Sequence, residues 1–198
     1  MALQVGVVGL RGIGTNHARC HHQDSLADLV AVCDVVKERA DKVAEQFGVK
    51  AYYRLRDMLA NEQMDIVDIS TGGYENGSWH FEPCMEALEA GKDVLCEKPL
   101  SNDIEEARQM VRAAAEKNLY LGCNLNHYFT PPAERARQYM DDGDIGELVY
   151  CLHKMGFPGG EATYKPAKIP RAWTFPYFHV KAFLAHPFSL MRYFCGDV

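Results

Sequence analysis

The sequence predicts an α/β protein: a doubly wound parallel sheet of Rossmann type, followed by the beginning of a second, truncated α+β domain. Three observations carry this. Short runs rich in Val, Ile and Leu alternate with helical segments, over short connections, from residue 1 to about 123. A glycine-rich turn, Gly9-Leu-Arg-Gly-Ile-Gly14, follows the first run and opens a helical stretch. Asp34 ends the second run, 34 − 9 = 25 residues after Gly9. That is near the ~20 at which a carboxylate meets the adenosine ribose of a dinucleotide.

Taken in order, Leu3–Val8 reads as a strand, and the residues after the glycine turn, Thr15 to His22, as a helix. The run 29–33 is the second strand. Lys37–Phe47 places Ala40, Val43, Ala44 and Phe47 on one helical face, with Gly48 as its stop. Ala51–Tyr53 is a short strand, Leu55–Asn61 a short helix, and Asp65–Ser70 a buried strand followed by the loop from Thr71 to Gly77. A helix from Trp79 to Ala90 closes at Gly91. Asp93–Cys96 is the fifth strand and leads into Glu97-Lys98-Pro99. Asn102 with Glu105 reads as a capping box for a helix from Asp103 to about Lys117. Leu119–Cys123 is the sixth strand.

Beyond residue 123 the pattern changes, which divides the chain into a dinucleotide-binding domain (1–123) and a partial substrate or dimerisation domain (124–198). Pro131-Pro132 starts a helix to about Met140, and Asp141–Gly146 is a turn. Glu147–Lys154 is expected to be a strand. The stretch 156–176 holds four of the nine prolines and reads as an irregular loop. The stretch 178–194 is helical in pattern apart from Pro187.

Composition narrows the function classes. The 198 residues are 47% hydrophobic and 24% charged, with a formal net charge of −6 and a pI near 5.7. With no basic cluster, neither nucleic acid nor an anionic membrane is the expected partner. No apolar run reaches the ~18 residues of a membrane helix, and no signal-peptide pattern precedes the first strand. The seven cysteines lack C-x-x-C spacing. Buried free thiols in the cytoplasm are expected, and no metal site. His17 and His21 stand at i, i+4 with His22 adjacent and no ligand of matching spacing, so they are expected on an ordinary helix surface.

The candidate cofactor cradle is Gly9, Arg11, Gly12, Ile13, Gly14 and Asp34, with Thr71 at the carboxyl end of the fourth strand. Position 11 departs from Gly-x-Gly-x-x-Gly, where the middle glycine lets backbone approach the pyrophosphate. Gly12 can absorb that strain one place later, or Arg11 can stack on adenine or pair with phosphate. Lys98, at the carboxyl end of a sheet strand beside such a cradle, can polarise a carbonyl or hold an alkoxide. Pro99 makes a cis Lys98–Pro99 bond plausible.

On Gly9-x-x-Gly12-x-Gly14, Asp34, Glu97-Lys98-Pro99-Leu100, Ile145-Gly146-Glu147-Leu148 and His186-Pro-x-x-x-x-Arg192, the chain resembles the glucose–fructose oxidoreductase, inositol dehydrogenase and MocA (Gfo/Idh/MocA) family. The resemblance implies an NAD-dependent oxidoreductase moving hydride between nicotinamide and a secondary alcohol or ketone of a sugar, cyclitol or related polyol. It implies that Lys98 lies by the nicotinamide and the substrate hydroxyl, that Glu97 helps hold the nicotinamide side, and that His80 stands near the nicotinamide. His186 is then the second catalytic residue, since an imidazole can take a hydroxyl proton near neutral pH. The family's two usual carboxylates around that histidine are Ala182 and Ser189 here, leaving Lys181 and His179 as substitutes. Asn124, His127, Arg171 and Trp173 are further substrate-contact candidates.

NAD is expected over NADP, because Asp34 repels a 2′-phosphate, though Lys37 stands nearby. Relatives of this fold imply one other class, an NAD-retaining glycoside hydrolase, and the two missing carboxylates and the short chain suggest another, a non-catalytic dinucleotide-binding or regulatory protein. Family members carry a large open antiparallel sheet in a second domain, of which only 147–154 is represented. The chain is therefore expected to be a fragment, or to complete its sheet in a homo-oligomer.

Overall fold

Leu3–Val8 (β1), Ala27–Cys33 (β2), Lys50–Tyr52 (β3), Ile66–Ile69 (β4), Asp93–Cys96 (β5) and Leu121–Cys123 (β6) form one sheet in the order β3-β2-β1-β4-β5-β6. Every neighbouring pair is parallel. The order reverses between β1 and β4, and a crevice opens there at the carboxyl ends of the strands. The computed structural model describes residues 2–73, 77–154 and 183–197. Two units are distinguished, Met1–Asn124 and Leu125–Val198.

Helices cover both faces of the sheet. Gly12–Gln23 (α1) and Lys37–Phe47 (α2) pack Ala18, Ala40, Val43 and Ala44 against Val5, Val7, Leu29 and Val32. On the opposite face, Leu55–Asn61 (α3), Phe81–Glu89 (α4) and Ile104–Glu116 (α5) place Met58, Leu88 and Met110 against Val8, Val67, Ile69, Val94 and Cys96. Each such Val, Leu, Ile or Met side chain contributes roughly 1.5–3 kcal/mol by leaving water, which is why the strands read as nearly continuous apolar runs. Gly48 ends α2 in the left-handed conformation, and the Val49 N–H returns to the Ala44 carbonyl at 3.0 Å.

The alternation of side chains matters most on β4 and β5. Val67 and Ile69 point into the α3–α5 layer, as do Val94 and Cys96. Period two then sends Asp68, and Glu97 just past β5, to the α1 face.

Several boundaries differ from expectation. The cap of α5 is Asp103, not Asn102. Its carboxylate accepts the Glu105 N–H at 2.8 Å and the Glu106 N–H at 3.3 Å, because an Asp directly before the first helical residue reaches the second and third amides. Residues 78–80 make a turn before α4 rather than its first turn.

In the second unit, the 3-10 turn Asn126–Phe129 precedes Pro131–Asp141 (α6), with Pro at its first positions. Ala185–Cys195 (α7) tolerates Pro187, which falls in its first turn, where no intrahelical N–H is needed. The Arg137 guanidinium on α6 donates to the Tyr193 carbonyl on α7 at 2.7 Å, and Tyr128 stacks on Tyr193. Residues 147–154 are not a strand: they make no ladder with any described residue. The segment leaves Leu148, Val149, Tyr150 and Leu152 exposed. An apolar, β-prone run without a neighbouring strand has nothing to pair with.

Candidate active site at the carboxyl edge of the sheet

The turn between β1 and α1 is built by two glycines. Gly9 has φ +89°, and a Cβ there would stand 2.7 Å from the Thr71 nitrogen, so β1 and the end of β4 approach closely. At Gly14 a Cβ would lie 1.7 Å from the Gly9 carbonyl oxygen. Gly12 is different. A side chain there would meet nothing within 4 Å, and its backbone is not left-handed. Arg11 is extended, with φ −74° and ψ −175°. Position 11 therefore needs no glycine for its backbone conformation.

The first turn of α1 has no side-chain cap and no acidic residue, so its N–H groups face outward with their partial positive charge. Ile13 is exposed beside them.

Asp34, 5% exposed, sits at the end of β2. Its Oδ2 accepts the Leu10 N–H at 2.8 Å and its Oδ1 the Val36 N–H at 2.8 Å, while Arg39 pairs with Oδ1 at 3.2 Å. The carboxylate is thus fixed against the glycine turn by backbone donors. Lys37 is directed elsewhere, with its ammonium 5.0 Å from the centre of the Tyr53 ring.

Beyond β4 and β5 the loops are tied together. The Thr71 hydroxyl donates to the Trp79 carbonyl at 2.6 Å. His80 is 1% exposed, with Nδ1 2.8 Å from the Pro99 carbonyl oxygen and Nε2 2.6 Å from that of Thr71. Burial lowers its pKa against the raising effect of those carbonyls. Both ring nitrogens face protein carbonyls, so His80 braces the β4 and β5 loops. The Lys98–Pro99 bond is cis, and Lys98 is half-buried.

On the α1 face lies a cluster that the sequence reading placed on a helix surface. His17 Nδ1 is 3.0 Å from both oxygens of Asp68, and its Nε2 is 3.3 Å from Glu97 Oε1. His21 Nε2 lies 2.7 Å from Asp68 Oδ2. Ser70 donates to Asp68 at 3.1 Å, and the Asn124 amide donates to Glu97 at 2.6 Å.

Asp68 has no solvent exposure, and the His17 ring is 11% exposed. Burial alone lowers the His17 pKa, but bonds to Asp68 and Glu97 and their charges outweigh it and bring it to about 10. Burial raises Asp68 and Glu97, and again the bonds win. His17 and His21 hold Asp68 below the usual carboxylate range, and His17 and Asn124 do the same for Glu97. His22, by contrast, lies against Phe47. The signal for this cluster was present: His17 and His21 share a helical face with Gly14 and Ala18, and Asp68 interrupts an otherwise apolar strand.

The comparisons bear on this arrangement. The oxidoreductase family with an NAD-binding Rossmann fold, Gfo/Idh/MocA, matches residues 3–125. The chain belongs to that family. This Gfo/Idh/MocA chain is 31% identical over 150 residues to an inositol 2-dehydrogenase/D-chiro-inositol 3-dehydrogenase of Lactiplantibacillus plantarum, covering 73% of this chain and 41% of that protein. It is 29% identical over 163 residues to a D-glucoside 3-dehydrogenase of Escherichia coli, covering 79% and 45%. Among solved structures it resembles a scyllo-inositol dehydrogenase from Lactobacillus casei with bound NAD(H) and scyllo-inositol. The TM-score is 0.68 at 29% identity, over 74% of this chain and 43% of that one. The matches therefore span less than half the length of these two curated relatives.

The cradle fits the family's cofactor. The missing side chains at Gly9 and Gly14 let the turn close tightly on itself and on β4, the uncapped N–H groups of α1 suit a pyrophosphate, and Asp34 is held where a ribose is expected.

In the second unit His186 is 8% exposed and stacks on His127, with ring centres 3.8 Å apart and planes 7° from parallel. The Ser189 hydroxyl donates to the His186 carbonyl at 2.8 Å, which ties it to its own helix. Arg171, Trp173, His179, Lys181 and Ala182 lie outside the described residues, as does most of the proline-rich stretch. All seven cysteines are free, and burial pushes Cys33 and Cys84 up to about 12, which keeps these thiols protonated. Among the described residues no group of His, Cys, Asp and Glu could hold a metal, and no helix is long and apolar enough to cross a membrane.

Proposed function

We propose that this chain is the cofactor-binding part of an NAD-dependent dehydrogenase that interconverts a secondary alcohol and a ketone on a cyclitol, sugar or related polyol. The observation that carries the reading is the placement of Lys98, just beyond β5, in the same unit as a glycine turn and an anchored Asp34. The relatives act on inositols and a glucoside by name, which supports the substrate class.

NAD, when bound, supplies the hydride acceptor or donor. The chain's own residues do the rest. The N–H groups at Gly12, Ile13 and Gly14 bind the pyrophosphate, with Arg11 beside it. Asp34 accepts the ribose hydroxyls and disfavours a 2′-phosphate, and the engagement of Lys37 with Tyr53 supports NAD over NADP. Thr71 lines the crevice by its backbone. The Lys98 ammonium stabilises the developing alkoxide oxygen, and the His186 imidazole takes the hydroxyl proton, with His127 stacked behind it. Asn124 fixes Glu97, and Arg171, Trp173, His179 and Lys181 are the further residues proposed to contact substrate.

The test is reduction of NAD by a panel of inositols and sugars, using the whole protein with and without Lys98→Ala and His186→Ala. Polyol-dependent NADH formation that either substitution abolishes supports the reading. Sugar release from a glycoside without net NADH points instead to hydrolysis.

A further inference from the structure

The cluster around His17 is not used by the reaction as proposed. It joins α1, whose N-terminus faces the cofactor cradle, to β4, β5 and the segment after β6. Each ring nitrogen of His17 meets a carboxylate: Asp68 at Nδ1 (3.0 Å) and Glu97 at Nε2 (3.3 Å). Nε2 also lies 3.1 Å from the Asn124 amide nitrogen, so His17, Glu97 and Asn124 form one contact. Glu97 also accepts the backbone N–H of Lys98, through its Oε2 at 3.2 Å, and the Asn124 amide. The ring therefore reaches the Lys98 backbone through a single carboxylate.

We propose that His17 is a positioning residue. Held between Asp68 and Glu97, it fixes the Glu97–Lys98 segment to α1, so that the cofactor cradle and Lys98 are held as one piece. The functional meaning rests on the reading of Lys98 as catalytic. The mechanical claim does not. His17 is no base in this role: against the cost of burial, Asp68 and Glu97 raise its pKa to about 10, so it retains its proton at neutral pH. The groups facing it are Asp68, Glu97, His21, Ser70 and Asn124. The two halves of the clamp have different consequences. The Asp68 half anchors α1 to β4, and the Glu97 half reaches the lysine.

Two substitutions separate these halves. His17→Asn keeps a donor at the Nδ1 position, toward Asp68, and His17→Gln keeps one at the Nε2 position, toward Glu97. The measurement is the acylation rate of Lys98 by limiting acetic anhydride, read by peptide mass spectrometry as a ratio to exposed Lys117 in the same molecule. The expected result is a ratio unchanged in His17→Gln and altered by about twofold or more in His17→Asn, the low end of coupling between neighbouring residues. A ratio unchanged in both, or altered only in His17→Gln, overturns the proposal and leaves His17 a fold anchor. Titrating the wild-type protein with NAD separates the two claims. Failure to bind NAD removes the catalytic reading of Lys98, while the reactivity ratio still decides the clamp.

Discussion

The charge of His17 makes a specific prediction about stability and pH. Its pKa rises from 6.5 to about 10 on folding, because its bonds to Asp68 and Glu97 outweigh the cost of burial. A raised pKa contributes stability that is fully present below 6.5 and is lost as pH climbs toward 10, since the native state alone holds the proton in that window. At 1.36 kcal/mol per pKa unit the shift sets an upper bound of roughly 5 kcal/mol, and solvent near the ring reduces this to a few kcal/mol. Asp68 and Glu97 act oppositely. Their lowered values stabilise the fold above about 4 and lose that effect in acid. The network is therefore worth most between about pH 4.5 and 6.5.

Urea unfolding of wild type and His17→Gln, repeated from pH 6 to 9.5, reads the difference directly. Wild type is the more stable at pH 6, by about 3 kcal/mol, since the substitution leaves Asp68 buried with a lost charged partner. The gap narrows by about 1 kcal/mol per pH unit between 7 and 9. Two curves that stay parallel across this range refute an imidazolium at position 17.

Four further outcomes follow from the geometry. Gly14→Ala drives a methyl into the Gly9 carbonyl and abolishes NAD binding in a calorimetric titration, with a lower melting temperature. Arg11→Gly, at an extended position, does not raise the melting temperature and lowers it by about 1–4 °C, because glycine there relieves no strain and adds unfolded-chain entropy. Asp103→Ala removes the α5 cap and costs about 1 kcal/mol in urea unfolding. His80→Ala cuts the tie between the Thr71 and Pro99 carbonyls. It speeds amide exchange over the 71–73 and 97–100 loops before it affects the strands, which hydrogen exchange with mass spectrometry resolves.

Much of the first unit was legible because its signals are local. The apolar strands, Gly48 after α2, the glycine turn and Asp34 each depend on a few neighbouring residues; every expected strand of the sheet is present, with ends that differ by one or two residues in β2, β3, β4 and β6. The buried cluster was not legible because it depends on distance. His17 and His21 look like surface residues until Asp68, some fifty positions later, is turned toward them by strand alternation. A charged residue amid Ile66, Val67 and Ile69 was the available clue, since a fully buried carboxylate requires partners. The cap moved from Asn102 to Asp103 because adjacent polar residues compete for one set of amides, and spacing alone does not rank them. Residues 147–154 carry β-prone side chains, but a strand needs a neighbour and none of the described residues supplies one.

The central claim, a cofactor site specific for NAD at the β1–α1 turn and Asp34, is tested most directly by calorimetric titration of the chain with NAD and with NADP. The account predicts NAD binding with Kd in roughly the micromolar range and NADP at least about tenfold weaker, with Asp34→Ala erasing the preference. Equal affinity for the two cofactors, or an NAD affinity that Asp34→Ala leaves intact, contradicts it.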